Sequence, residues 1–368
     1  MSDFSPYCRP TRRPTAHRTG AIAVIAAVLL IPMAAMLAFA VDYGYLLRER
    51  SELQRAADAA ALAGVQDLIP DDEGFQDITT AMATIREYIA ANMTELQGFN
   101  VADADIEIGR FDPDMIYDSV SLLQDGTLDT IRVTLRRDGE TNPAVPLFFA
   151  NVFGMDTSDV VVTATAVLQK ARYIPPGSDV LPFSIPKNEW DNMAQNEVWN
   201  IYGDGRLEDS HGHLIPGNWG TVDIGNENNS TADLSDQIIN GLRQDDLDEL
   251  YGDGRIPTNE YIDGDLDFDV QADTGLSGGM KHAVRQIHGQ TRLIPIYNGV
   301  SGNGNNTEFS IVDWAVCQVV DSRFQGSKNT YVRVKKAFIY DGDLRPQPDL
   351  AVSEGSIVGA YTVPVLVD

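Results

Sequence analysis

Twenty-one residues without a charge, "AIAVIAAVLLIPMAAMLAFAV" (21–41), run directly into "DYGYLLRERSELQRAADAAALAG" (42–64). As a helix rising about 1.5 Å per residue, the apolar stretch reaches about 32 Å, the thickness of a bilayer core. Pro32 at its middle is tolerated in membrane helices, where neighbouring groups re-satisfy the backbone. Arg9, Arg12, Arg13 and Arg18 all precede the stretch, against the single acid Asp3. That asymmetry puts the N-terminus in the cytoplasm and everything after residue 41 outside. A retained anchor is one reading. A cleaved secretory signal is another, because "AFA" at 38–40 fits a small-residue cleavage site. The run is long for a signal, and the helical pattern continues through the cut.

Past residue 41 the helix formers Ala, Leu, Glu, Arg and Gln dominate. Arg48 and Glu52, and Glu52 and Arg55, stand at spacings where opposite charges meet on a helix. Leu53, Ala56, Ala60 and Gly64 recur on one helical face. Ala56, Ala60 and Gly64 form a small-xxx-small seam that lets a neighbour approach closely. Two occupants suit the seam: the chain's own domain, or a partner helix. The stretch reads as a stalk that carries the span outward into a folded body.

These residues also carry a family resemblance. "HRTGAIAVIAAVLLIPMAAMLAFAVDYGYLLRERSELQRAADAAALAG" resembles the N-terminal module of TadG-like proteins of the Tad (tight adherence) Flp pilus-assembly systems. The matching positions are Gly20, Pro32, Asp42, Gly44, Leu53, Gln54, Ala56, Ala57 and Asp58, then the run 59–64 with Ala60 and Gly64. The resemblance implies a component of a pilus or secretion apparatus in the inner (cytoplasmic) membrane. Its contacts would be with other assembly proteins, or with itself, through the stalk helix. Pilin-type processing after Gly20 is the third reading of the N-terminus. Relatives processed in that way keep a Glu where this chain has Ile25, a departure that favours an unprocessed anchor.

The formal net charge is −27 and the arm before the span is basic, so the acidity lies on the rest of the chain. An acidic body argues against a nucleic-acid partner, since phosphate binding needs clustered Lys and Arg. Cys8 and Cys317 lie on opposite sides of the apolar stretch and build neither a disulfide framework nor a metal spacing.

The remainder reads as α+β. "DITTAMATIREYIAANM" (77–93) is an amphipathic helix. "DIEIGRFD" (105–112), "DTIRVTLRRD" (129–138) and "DVVVTATAVLQKA" (159–171) alternate as strands. "VPLFFANVFG" (145–154) reads as a short helix closed by glycine. The order "FFANVFG…VVVTATAV" is similar to the segment that follows the stalk in TadG-like proteins. The proline-rich "YIPPGSDVLPFSIP" (173–186) marks a boundary. The domain reading is a cytoplasmic basic arm 1–20, a transmembrane helix 21–41, a stalk helix 42–66, an α+β domain 67–172 and a β-rich α+β outer domain 173–368. In the last, "LIPGNWGTVDIG" and "GQTRLIPIYN" are similar to pieces of some TadG-like outer domains. "YGDGR" occurs at 202–206 and 251–255; Asp-Gly is turn chemistry, and the flanks do not align as a repeat.

Few constellations carry chemistry. "GLSGG" (275–279) matches a nucleophile elbow, but a triad would need an acid and then a histidine after Ser277. His282 and His288 follow with no Asp or Glu between Ser277 and His288, and His282 would share the elbow's helix. A secreted hydrolase is thus the weak enzyme alternative. "SHGH" offers His211 and His213 beside Glu208 and Asp209, without a third fixed ligand. "DGDLDFD" is the best calcium candidate through Asp263, Asp265, Asp267 and Asp269, but lacks the glycine and glutamate of an EF-hand loop. Some TadG relatives carry an Asp-x-Ser-x-Ser metal motif; "DLSDQ" at Asp233 departs from it at the last position, so the site is not carried over. The expectation is a non-enzymatic, membrane-anchored assembly component without cofactor, nucleic acid or small-molecule substrate. A minor pilin or adhesin on the filament is the binding-class alternative.

Overall fold

The computed structural model describes residues 19–93, 98–111, 127–202, 221–222, 224–225, 230–251, 256–257, 268–273, 278–301, 307–325, 330–346 and 358–367. The chain divides into two units. One is Met1–Glu52 with Arg136–Val161; the other is Leu53–Leu135 with Val162–Asp368.

Span and stalk form one α-helix, Thr19–Gln66, of 48 residues with Pro32 inside it. In the first unit the apolar side chains of this helix, from Val24 to Phe39, stand exposed. Among the described residues none covers this apolar surface, and the helix is long and apolar enough to cross a bilayer. The rest of the unit is a short hairpin, Val145–Pro146 against Thr157–Ser158. Between its strands lies a 3-10 turn, Ala150–Phe153, closed by Gly154 in the left-handed region at φ 83°. The helix expected over 145–154 is therefore only this one turn. Pro146, which has no N–H to give, sits in the strand before it.

The second unit begins with the end of the stem helix and the helix Ile78–Asn92, whose N-cap Asp77 accepts the Thr80 N–H at 3.0 Å. Strand Thr130–Arg137 obeys the period of two, with Ile131, Val133 and Leu135 buried and Arg132 and Thr134 half-exposed between them. It lies in a sheet ordered Ile106–Gly109, Thr130–Arg137, Val160–Ile174, Ala360–Val367, Ile339–Tyr340. The strand Ala360–Val367 runs antiparallel to Val160–Ile174, with Tyr361 opposite Lys170 and Val367 opposite Thr165. Strands that the sequence assigns to different domains thus share one sheet.

A second sheet is built on the long hairpin Thr291–Ser301 and Thr307–Arg323, extended by Tyr331–Lys336 and Phe268–Asp273. The helices Thr231–Asn240 and Lys281–Gln286 bring Leu234, Ile238, Ala283 and Val284 into one core with Phe183, Trp190, Ile294 and Val334. The fold class is α+β with an N-terminal apolar helix.

Candidate functional site

Asp42, the first residue past the apolar stretch, is 5% exposed and faces the hairpin. Its Oδ1 accepts the Phe148 N–H at 2.8 Å and the Phe149 N–H at 3.2 Å. Its Oδ2 accepts the Phe149 N–H at 3.0 Å and the Ala150 N–H at 2.7 Å. Burial disfavours a charged carboxylate, but three backbone donors converging on it favour the ionised form. One turn on, the Tyr45 ring meets Phe148 edge-on, with centroids 5.2 Å apart. Two turns on, at the i+7 position of the same helix face, Glu49 pairs with Arg137. Both are buried. The Arg137 Nε also donates to the Pro143 carbonyl at 2.9 Å. The Asn142 amide closes the turn by donating to the Arg136 carbonyl at 2.9 Å.

This collar is a clamp. The Asp42 carboxylate is filled by backbone donors and Glu49 is neutralised by Arg137, chemistry suited to holding a segment rather than turning over a substrate. Only Asp42 of it was marked in the sequence. Its partners are main-chain N–H groups, which leave no mark in residue identity. Glu49 and Arg137 are far apart in sequence, and nothing local pairs them.

The other marked positions have these places. Gly20 lies in the first turn of the stem helix and Pro32 in its exposed part. Gly44 is exposed, and a Cβ built there meets no described residue within 4 Å. In the second unit Leu53, Ala56, Ala57 and Ala60 are fully buried. The Gln54 amide donates to Asp58 at 2.8 Å and to the Thr163 carbonyl at 3.1 Å. At Gly64 a Cβ would stand 2.4 Å from the Ile85 Cγ1 and 3.3 Å from the Ile131 Cδ1. Of the two occupants the sequence allowed for the seam, the chain's own helix and strand fill it at Gly64. The smallness of that position is explained from within.

The chemical candidates are not assembled among the described residues. Ser277, His211, His213, Glu208, Asp209, Asp263, Asp265 and Asp267 lie outside them, and Asp269 sits in the strand Phe268–Asp273. His282 is exposed on Lys281–Gln286, and the His288 Nε2 is 2.8 Å from the Ser322 hydroxyl. Among the described residues no group of three or more His, Cys, Asp or Glu could hold a metal. Asp233 of "DLSDQ" pairs with Arg243 at 2.5 Å, and the Ser235 hydroxyl donates to the Thr231 carbonyl at 2.5 Å, so both are engaged within the fold.

Two family models cover the region that holds the collar and the seam. Residues 20–67 match the model described as "Putative Flp pilus-assembly TadE/G-like". Residues 63–166 match the one described as "Putative Tad-like Flp pilus-assembly". Over residues 20–166 the chain is thus similar to the Tad Flp pilus-assembly families. Asp42 and Glu49 come from the first Tad match, and Arg137 and the Phe148–Ala150 backbone from the second, so the collar ties the two matched segments together. No curated protein and no solved structure matches the chain.

Proposed function

We propose that this chain is a membrane-anchored, non-enzymatic component of a Tad-type pilus-assembly or secretion apparatus. The observation that carries the reading is the join of a Tad match over residues 20–166 to a helix whose apolar side chains are left uncovered over residues 23–41. A polypeptide does not leave such a surface in water. The span, residues 21–41, retains the protein in the inner membrane. The basic arm stays in the cytoplasm, and the acidic body works outside as the surface that meets other assembly proteins. Ile25, where processed relatives keep a Glu, supports an anchor that is not cut.

The test is a blot of cell fractions with an antibody to the body: membrane pellet, sheared filaments and soluble extracytoplasmic extract. Full-length protein confined to the membrane pellet is the expected result. A product lacking residues 1–20 in sheared filaments would make it a filament subunit. A soluble product beginning near Val41 would make the apolar stretch a signal and overturn the anchor.

A further inference from the structure

The hairpin tip held by Asp42 carries five exposed apolar side chains: Phe148, Phe149, Val152, Phe153 and Met155. Val152 is 80% and Phe153 76% exposed. Nothing from Thr141 to Met155 is charged, although the chain outside the basic arm is strongly acidic. Isolated exposed apolar residues are ordinary; a contiguous, charge-free cluster marks a contact surface.

The collar fixes where this cluster points. The chain leaves the stem helix at Arg137, paired with Glu49, and returns to it at Phe148–Ala150, bonded to Asp42. From Glu49 back to Asp42 is two helical turns, about 10 Å along the axis toward the apolar stretch. The strand therefore descends toward the span, and its tip lies level with the first residue beyond it. We infer that the tip 148–155 is a second membrane contact, whose side chains sit in the outer interfacial layer of the same bilayer that residues 21–41 cross. The inference rests on the anchor reading above. Exposed Tyr43 and Leu47 on the neighbouring helical turns continue the same belt, and tyrosine suits the headgroup level. The tip itself carries no charge, so the contact it makes is apolar and independent of lipid charge.

The test is site-directed spin labelling of the full chain in phosphatidylcholine nanodiscs, with Cys8 replaced by Ser and the buried Cys317 left in place. Single cysteines are introduced by Val152→Cys, by Leu37→Cys in the span and by Glu140→Cys on the turn beside Arg137. Collision with lipid-soluble oxygen is compared with collision with a neutral, water-soluble nickel chelate. Groups buried about 5–10 Å into the interface should give an oxygen-to-nickel ratio at least about threefold above that of an aqueous site. The ratio is expected to be high at 37 and 152, low at 140, and unchanged when anionic lipid is added. A high ratio at 37 with a low one at 152 would overturn the tip contact and leave the anchor standing. A low ratio at 37 would overturn the anchor itself, and the tip contact with it. Low collision with both reagents at 152 would mean that protein, such as a second copy, covers the tip, which also overturns the inference.

Discussion

Between Asp42 and Glu49 the stem helix is gripped by charge, whereas from Leu53 to Gly64 it is gripped by shape. In the first stretch a carboxylate gathers three main-chain donors and a buried ion pair fixes a turn. In the second, fully buried Ala56, Ala57 and Ala60 lead to a glycine that admits no side chain. The two grips fail differently. A polar grip tolerates small changes of volume but not the loss of one partner, because the other is then left charged and dry. A shape grip ignores charge and fails on the addition of a single methyl group.

The largest effect separating the two should come from Glu49→Ala, which strands Arg137 and is expected to cost about 3–5 kcal/mol in thermal unfolding. The double variant Glu49→Leu with Arg137→Met should recover most of that loss. If it does not, the pair sets more than neutralisation. Next is Gly64→Val, where overpacking against Ile85 is expected to cost about 2–3 kcal/mol despite glycine's poor helix propensity. Added Ile85→Ala should restore part of the loss, as a grip by shape requires.

A third carboxylate shows what happens when donors are too few. Asp313 accepts one backbone N–H, from Trp314, with the Lys187 ammonium 3.9 Å away and the Asp191 charge opposing. Burial wins, and its carboxyl is pushed up from 3.8 to about 6. Because the folded value lies above the unfolded one, the neutral form stabilises the fold. That contribution is complete below about pH 4 and is lost as pH rises through 6, a swing on the order of 3 kcal/mol. Asp313→Asn should flatten this part of the pH–stability profile. An unchanged difference between pH 4.5 and 7.5 would show that Asp313 is not its source.

Asp42→Asn turns an amide N–H toward backbone donors. Its effect should be local, with hydrogen exchange at Phe148–Ala150 faster by about tenfold. The smallest effect should be at Gly44→Ala, a gain of no more than about 1 kcal/mol from helix propensity, since a methyl there meets no described residue within 4 Å. A stable Gly44→Ala protein that no longer co-purifies with its assembly partners would place a contact on that face.

What could be read in advance follows the same division. The stem helix was legible because alanine, leucine and spaced charges speak locally. So were Ile131, Val133 and Leu135, whose alternation is a property of one strand. The collar was not, because Asp42 bonds to peptide N–H groups that every residue but proline carries, and Glu49 finds Arg137 only after the chain has turned back. The stretch "FFANVF" misled for a related reason. Its apolar run suggests a helix with a buried face, yet its rings stay largely exposed, and Phe148 meets Tyr45 of the stem helix rather than a neighbour at a helical period.

The pairing of Ala360–Val367 with Val160–Ile174 has a consequence for biosynthesis. The sheet that begins at Ile106 is completed only by a strand made after almost the whole outer sheet has been synthesised. Until that strand emerges, residues 165–170 of Val160–Ile174 offer a bare edge, the kind that recruits wrong partners. A ribosome that stalls before residue 360, or a channel that releases the chain early, leaves the Tad-matched segment unfinished. Such a product is expected to expose that edge to wrong pairing and to proteolysis. The sheet can therefore close only in chains made through Ala360–Val367.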